Sequence, residues 1–177
     1  MSEWPYPAPE DDGGAKHLVA GTALPDIALL STDGGYVTLA RIAGWAIVFI
    51  YPWTGAPGVA NPPDWDVIPG AHGSTPEAEG FRDHHAGFAD KDFKVFGLSG
   101  QASAVQREFF ARKALSFPLL SDDGLAWSRA LRLPAFETGG VRYLKRITLV
   151  VRDGKVVRAV YPVHPPDTHA RDLLAQL

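Results

Sequence analysis

Ser74, in the segment AHGSTPEAEGFRD (71–83), lies at the predicted start of a helix. The helix follows a Gly- and Pro-rich loop, 54–73, which itself follows a strongly apolar segment, 45–52. The first backbone N–H groups of a helix have no partner inside it and, with the helix dipole, attract negative charge. A thiol at such a position ionises readily and becomes a nucleophile, but the chain has no cysteine. Ser74 and Glu77 also fit the S-x-x-E pattern of a helix cap, so the segment predicts either a reactive site or a capping pair.

Composition limits the classes of function. The chain has 177 residues, 46% of them hydrophobic and 21% charged, with a formal net charge of −3, which is typical of one compact globular domain. There is no basic block, so we expect no nucleic-acid partner. The longest apolar runs, such as 46–52, are too short to span a bilayer, so we expect no membrane partner. The absence of cysteine excludes disulfides, thiolate metal sites and thiol catalysis by this chain.

The N-terminal segment differs from the rest of the chain. It reads MSEWPYPAPEDDGG, which is acidic and Pro-rich and lacks the cationic start and apolar run of a secretory signal. Hydrophobic periodicity begins near Leu18. We therefore expect a flexible arm over 1–16, a single domain over 17–177 and a cytoplasmic location.

Apolar patterns predict an α/β architecture. The segments 45–52 and 92–100 are typical of strands buried on both faces. A stripe at spacings of three and four predicts a helix from Ser74, and its members are Ala78, Phe81, His85 and Phe88. The other predicted elements are two short β segments in 23–42, a helix at 103–115 with Val105 and Phe109 inward, a strand at 117–122, a helix at 124–133, a hairpin at 143–163 turning at Asp153-Gly154, and a helix at 165–177. This order predicts a central mixed sheet with helices on both faces.

Five segments together resemble one family. They are YPWTG (51–55), GSTPEAEGFRDHH (73–85), VFGLSGQ (95–101), FPLLSDD (117–123) and KRITLVVRDGKV (145–156). They resemble the peroxiredoxins, and among these the bacterioferritin-comigratory, or Q-type, branch. The resemblance runs from about Leu24 to the C-terminus and implies a thioredoxin-like fold with no cofactor.

The resemblance also implies the position of the site. The family's peroxidatic cysteine, at the first turn of a helix, falls on Ser74, and the resolving cysteine of this branch falls on Glu79. The family's arginine falls on Arg146. The neighbouring positions that would form the pocket are Gly73, Thr75 and Pro52. Both thiols are therefore missing, and the chain as written should be inactive as a peroxidase.

The family's active-site threonine has no direct counterpart. The position three residues before the nucleophile is Ala71. Thr54, in YPWTG, takes the threonine's place only if the long loop folds back over the site. Trp53 and Trp65 in this loop are expected to pack over the site.

Three interpretations of the missing thiols stay open. The chain is a serine variant of a one-cysteine peroxidase that uses thioredoxin or a small thiol as reductant, since Glu79 is not a substitution made to remove a cysteine. Alternatively, both losses are natural and the protein is a redox-inactive binding or interaction module. The third interpretation is a different chemistry on a small anionic or oxidised substrate held near Arg146. The resemblance also allows a homodimer, for which no interface is evident.

The six histidines predict no metal site. His84 and His85 are adjacent, and neighbouring residues on a helix point about 100° apart. They therefore cannot both face one metal from a regular helix. A cluster of His72, Glu79 and one of this pair is the only metal arrangement to consider, and hydrogen-bonded histidines are the better expectation.

Overall fold

A β-sheet with apolar side chains on both faces forms the centre of the fold. A computed structural model describes residues 3–177. Within these residues the strands are β1 (Leu29–Ser31), β2 (Tyr36–Val37), β3 (Trp45–Ile50), β4 (Phe93–Ser99), β5 (Leu119–Ser121), β6 (Ala135–Thr138), β7 (Val141–Leu144), β8 (Ile147–Arg152) and β9 (Lys155–Val160). Seven of them form one sheet in the order β2-β1-β5-β4-β3-β8-β9, and β6 and β7 form a separate hairpin. β4 is parallel to both β3 and β5, whereas β8 is antiparallel to β3, so the central sheet is mixed as predicted.

Helices cover both faces of this sheet. They are α1 (Ser74–Asp83), α2 (His85–Asp90), α3 (Ser103–Arg112), α4 (Ala126–Ala130) and α5 (His169–Leu174). Phe49 of β3 faces the side that carries α1, where its ring stacks on Phe81 with centroids 4.4 Å apart. Val48 points to the opposite side and joins a cluster with Trp127 of α4. The predicted α/β architecture with helices on both faces is confirmed.

The predicted hairpin at Asp153-Gly154 is confirmed. β8 and β9 pair antiparallel around it, and both turn residues have positive φ, 49° and 74°. The neighbouring hairpin of β6 and β7 was not predicted, because residues 135–144 have a weak alternating pattern. Gly139 and Gly140, both with positive φ, form its turn.

Two details of the predicted helices are wrong. The helix predicted from Ser74 is divided at His84, where α1 ends and α2 follows, although Ala78, Phe81 and Phe88 of the predicted stripe all lie in one buried cluster. In α3, Val105 is 45% exposed rather than inward, and Gln106 faces the core instead. The Gln106 Nε2 group donates to Ser99 Oγ at 3.0 Å and to the Leu120 carbonyl at 2.8 Å. These bonds satisfy the buried amide's donors, which is why a polar side chain is tolerated there.

The N-terminal segment lies against the domain over its described part, residues 3–16. Tyr6 stacks on His72, and Asp12 bonds to Lys145 and Tyr161. The flexible arm over 1–16 and the boundary at residue 16 stay predictions. Residues 1 and 2 of this arm lie outside the described residues. No helix within residues 3–177 has the length and apolar character needed to cross a membrane.

Candidate active site at the start of the first helix

Ser74 begins α1 at the end of the long loop that follows β3. Gly73 precedes the helix with φ of 116°, a conformation that residues with a side chain rarely adopt, and its carbonyl accepts from Glu77 N–H at 3.0 Å. The Ser74 hydroxyl makes no capping bond to the helix backbone, and Ser74 is only 4% exposed. The capping-box interpretation is therefore wrong, because both side chains of the S-x-x-E pair turn towards an arginine instead.

Arg146 joins the helix start to the end of the loop. It lies one residue before β8, and its Nη1 donates to Ser74 Oγ at 3.2 Å and to Glu77 Oε1 at 2.9 Å. Its Nη2 donates to the carbonyls of Gly70, Ala71 and His72 at 3.2–3.3 Å. The guanidinium is thus surrounded by acceptors from two segments, 70–72 and 74–77, that precede it by at least 69 residues in sequence.

Burial shapes the electrostatics of this cluster. Burial raises the pKa of Glu77 to about 7, against the opposing effect of the Arg146 charge and hydrogen bond. Burial also raises the pKa of Tyr51, and the Glu77 charge adds to that shift. Among the described residues, Glu77 Oε2 and Arg146 Nε have no hydrogen-bond partner. The partner of the Arg146 charge beside Ser74 is therefore a buried carboxyl group whose ionisation is opposed by burial.

The Ser74 hydroxyl has no base to activate it. Its hydrogen-bond partner among residues 3–177 is Arg146, which donates and cannot accept a proton. A serine nucleophile needs an adjacent general base, and a hydroxyl forms no counterpart of a sulfenic acid. The arrangement would stabilise a thiolate or another anion, but it does not make Ser74 reactive.

An aromatic pocket lies over Ser74. Its volume is about 300 Å³, and Trp4, Tyr6, Trp53 and Trp65 form much of its wall. Trp53 and Trp65 meet edge to face with centroids 5.6 Å apart, so the structure places these two rings over the site as expected. Gly73 and Thr75 also line the pocket, together with His72 and Ser74.

The structure places the other proposed site residues around this pocket. Thr54 is buried, and its hydroxyl donates to Gln101 Oε1 at 3.1 Å rather than bonding to Ser74. Pro52 is buried beyond the end of β3 and is not part of the pocket wall. Glu79 lies on the partly exposed side of α1, with Arg82 Nη2 3.8 Å from its carboxylate. The roles of these residues in a reaction stay predictions.

The histidines act singly. His72 bonds to Asp66 at 2.6 Å, His85 to Ser116 at 2.8 Å and the buried His169 to Thr148 at 2.8 Å. Within the described part of the chain, no group of three or more His, Asp or Glu side chains is arranged to hold a metal ion.

Two contributions to the site were missed from the sequence. Glu77 was interpreted only as part of a cap, although its spacing of three from Ser74 puts both on the same helix face, where one cation can contact both. Trp4 and Tyr6 belong to a segment without hydrophobic periodicity, so nothing in the pattern connected them with residue 74.

Comparison with protein families gives one match over most of the chain. The profile of the family described as Redoxin matches residues 19–177. The chain is similar to the protein named peroxiredoxin Q, chloroplastic, of Oryza sativa subsp. japonica, with 30% identity over 142 residues. That match covers 80% of this chain and 58% of the length of the rice protein.

Two solved structures match the fold. One is the bacterioferritin comigratory protein of Xanthomonas campestris, described for its alkyl peroxide reduction activity, with 27% identity, a TM-score of 0.70 and coverage of 89% of this chain and 96% of that one. The other is a cysteine-to-serine mutant of peroxiredoxin Q from the same organism, with 27% identity, a TM-score of 0.70 and coverage of 89% and 95%. The predicted thioredoxin-like fold is thereby confirmed.

Proposed function

Because this chain belongs to the Redoxin family and is peroxiredoxin Q-like, we propose that it is a redox-inactive member of the family that uses the pocket over Ser74 for binding. The thiol chemistry of the lineage is absent, since the chain contains no cysteine. The function that remains available to the site is recognition of a ligand or partner.

One observation carries this proposal. Ser74 occupies the first turn of α1, and Arg146 donates to its hydroxyl at 3.2 Å, which supports the proposal because a helix start and an arginine are two features expected around a peroxidatic residue. A thiolate is the nucleophile in thiol-dependent peroxide reduction, and it passes through a sulfenic acid. Replacing sulfur by oxygen removes this electron transfer while leaving the buried polar contacts in place.

A coupled peroxidase assay tests whether the chain is inactive in peroxide reduction, as proposed. The unsubstituted chain is incubated with hydrogen peroxide or an alkyl hydroperoxide, and with thioredoxin, thioredoxin reductase and NADPH. We expect NADPH consumption equal to that of the mixture without the protein. Consumption that rises with the concentration of the chain would refute the proposal.

The alternative is a Cys-to-Ser variant of a one-cysteine peroxidase. It is favoured by the near-isosteric residue at position 74, the same exchange that was made in the mutant peroxiredoxin Q of Xanthomonas campestris. Glu79 fits a natural chain without a resolving cysteine. The parent would then reduce hydrogen peroxide or organic hydroperoxides with thioredoxin or a small thiol. A serine codon at position 74 in the natural gene excludes this alternative, and a cysteine codon establishes it.

The remaining elements of the proposal concern the cellular location and the oligomeric state. We keep a cytoplasmic location and a homodimer as parts of it, the second because dimers are common among peroxiredoxins. Sedimentation velocity over a range of concentrations tests the dimer. A sedimentation coefficient that stays at the monomer value throughout would remove it from the proposal.

A further inference from the structure

The N-terminal segment forms part of the wall of the Ser74 pocket. Trp4 and Tyr6 both line the pocket, and their rings lie 5.8 Å apart. The Tyr6 ring stacks on His72, with centroids 3.7 Å apart and planes at 11°. Two of the pocket's aromatic walls therefore come from a segment that precedes the predicted domain.

Four further contacts attach the same segment to the domain. Gly70 N–H donates to the Pro7 carbonyl at 3.2 Å, and the Pro9 ring packs against Gly70. Asp12 accepts from Lys145 Nζ and from the Tyr161 hydroxyl, both at 2.8 Å. These bonds hold the pKa of Asp12 well below its usual range, so its carboxylate is charged at any neutral pH. The segment 4–12, which we name the strap, is thus attached at both ends and in the middle.

The strap rests on the part of the loop that Arg146 holds. The carbonyls of Gly70, Ala71 and His72 accept from Arg146 Nη2, and the same guanidinium donates to Ser74. Lys145, which bonds to Asp12, is the neighbour of Arg146 in the chain. The strap and the floor of the pocket are therefore positioned by one connected set of bonds.

We propose that the strap completes the Ser74 pocket and restricts it to small ligands with a flat or apolar body. This rests on the proposed function, in which the pocket binds. Indole and phenol rings offer large apolar faces, and the pocket volume of about 300 Å³ corresponds to the lower end of small-molecule sites. With the strap in place, a bulky group or the side chain of another protein cannot reach position 74.

The absence of cysteine makes a direct test available. In Ser74→Cys, the introduced thiol is the only one in the chain, so its accessibility can be measured with maleimides. N-ethylmaleimide serves as the small reagent and a fluorescein maleimide as the bulky one. Both react through the same maleimide group, so a difference between their rates reports the size of the reagent. Val19→Cys supplies a surface reference, since Val19 is 61% exposed and is not part of the pocket wall.

The measured quantity is the ratio of the bulky to the small reaction rate. We expect this ratio in Ser74→Cys to be at least about tenfold below that in Val19→Cys, because the bulky reagent must wait for the strap to open. Adding Trp4→Ala and Tyr6→Ala should raise the ratio towards the surface value. Adding Tyr36→Ala, which removes an aromatic ring that is 72% exposed, should leave it unchanged.

Equal ratios in Ser74→Cys and Val19→Cys overturn the proposal, and so does a ratio that the Trp4 and Tyr6 substitutions leave unchanged. Peroxidase activity of the unsubstituted chain would refute the proposed function but would not alter these ratios, so the two failures are distinguishable.

Amide hydrogen exchange gives an independent test that needs no introduced thiol. The Gly70 N–H should be protected in the unsubstituted chain, because Pro7 accepts it. Its exchange should accelerate in Asp12→Asn but not in Asp26→Asn, which weakens a comparable surface ion pair with Arg41. Exchange of Gly70 at the rate of a free amide in the unsubstituted chain would show that the strap is not docked.

Discussion

Arg146 and Glu77 form a fully buried ion pair beside the site, with Arg146 Nη1 2.9 Å from Glu77 Oε1 and side-chain exposures of 2% and 0%. Removing one partner of a buried pair leaves an uncompensated charge, whereas a surface pair contributes little. The pair therefore holds the loop end, the helix start and β8 together.

Arg146→Met should lower the free energy of unfolding by about 3–5 kcal/mol at pH 7.5, because it breaks the buried pair and leaves Ser74, Glu77 and the loop carbonyls without their donor. Glu77→Gln keeps an acceptor but leaves the Arg146 cation buried without its counter-ion, so it should cost a comparable amount, about 3–5 kcal/mol. Chemical denaturation measures both. Arg41→Met, in the exposed pair with Asp26, is the control and should leave the free energy of unfolding nearly unchanged. An Arg146→Met cost as small as that of Arg41→Met would show that the buried pair has no structural role.

His169 should make stability depend on pH. Its ring meets Phe81 edge to face and bonds to Thr148. Burial, with the Arg146 charge, lowers the pKa of His169 to about 4. Between about pH 6.5 and 4 the unfolded chain binds a proton at this histidine and the native chain does not, so stability falls as pH falls through this window. The effect should reach on the order of 3 kcal/mol when complete.

The measurement is chemical denaturation at a series of pH values for the unsubstituted chain and His169→Gln. The free energy of unfolding of the variant, relative to that of the unsubstituted chain, should rise steadily as pH falls from 6.5 to 4. Glu77 acts in the opposite direction, since a raised pKa makes its contribution decline as pH rises from about 4.5 to 7, but it is common to both proteins and cancels in the difference. His164→Gln, at an exposed histidine, is the control. A stability difference that is independent of pH would refute this assignment.

Gly73 should tolerate no side chain. Its φ is 116°, and a Cβ would overlap Pro166 and come within 2.9 Å of Trp4. Gly73→Ala should therefore lower the free energy of unfolding by more than the roughly 1–3 kcal/mol of backbone strain alone. Gly21→Ala isolates the strain, because Gly21 also has positive φ, 92°, but nothing lies within 4 Å of its Cβ position. Equal costs for the two variants in chemical denaturation would contradict the close packing at Gly73.

The sequence predicted the elements that have strong periodicity. The continuous apolar runs of β3 and β4, and the Asp153-Gly154 turn, are local signals that were enough for the mixed sheet. The resemblance placed Ser74 at a helix start and Arg146 near it, and their bond of 3.2 Å agrees with that placement.

The rest depended on contacts that no local pattern encodes. Glu77 satisfies a capping motif equally well whether it faces its own backbone or Arg146, and only the position of β8 decides between them. Gln106 lies inward because Ser99 of β4 and Leu120 of β5 accept hydrogen bonds from its amide, and the helix sequence alone does not reveal these partners. The docking of Tyr6 on His72 joins positions 66 residues apart through aromatic stacking, a contact that composition does not reveal.

The central claim is that position 74 keeps two features of a peroxidatic site, the start of a helix and an arginine donor, around a hydroxyl in place of a thiol. The most direct measurement is the rate at which the thiol of Ser74→Cys reacts with hydrogen peroxide at neutral pH, with dimedone trapping the sulfenic acid. We expect a rate on the order of a hundredfold above that of the surface thiol in Val19→Cys, because donors aimed at developing charge are worth about this much. A rate equal to that of Val19→Cys would contradict the claim.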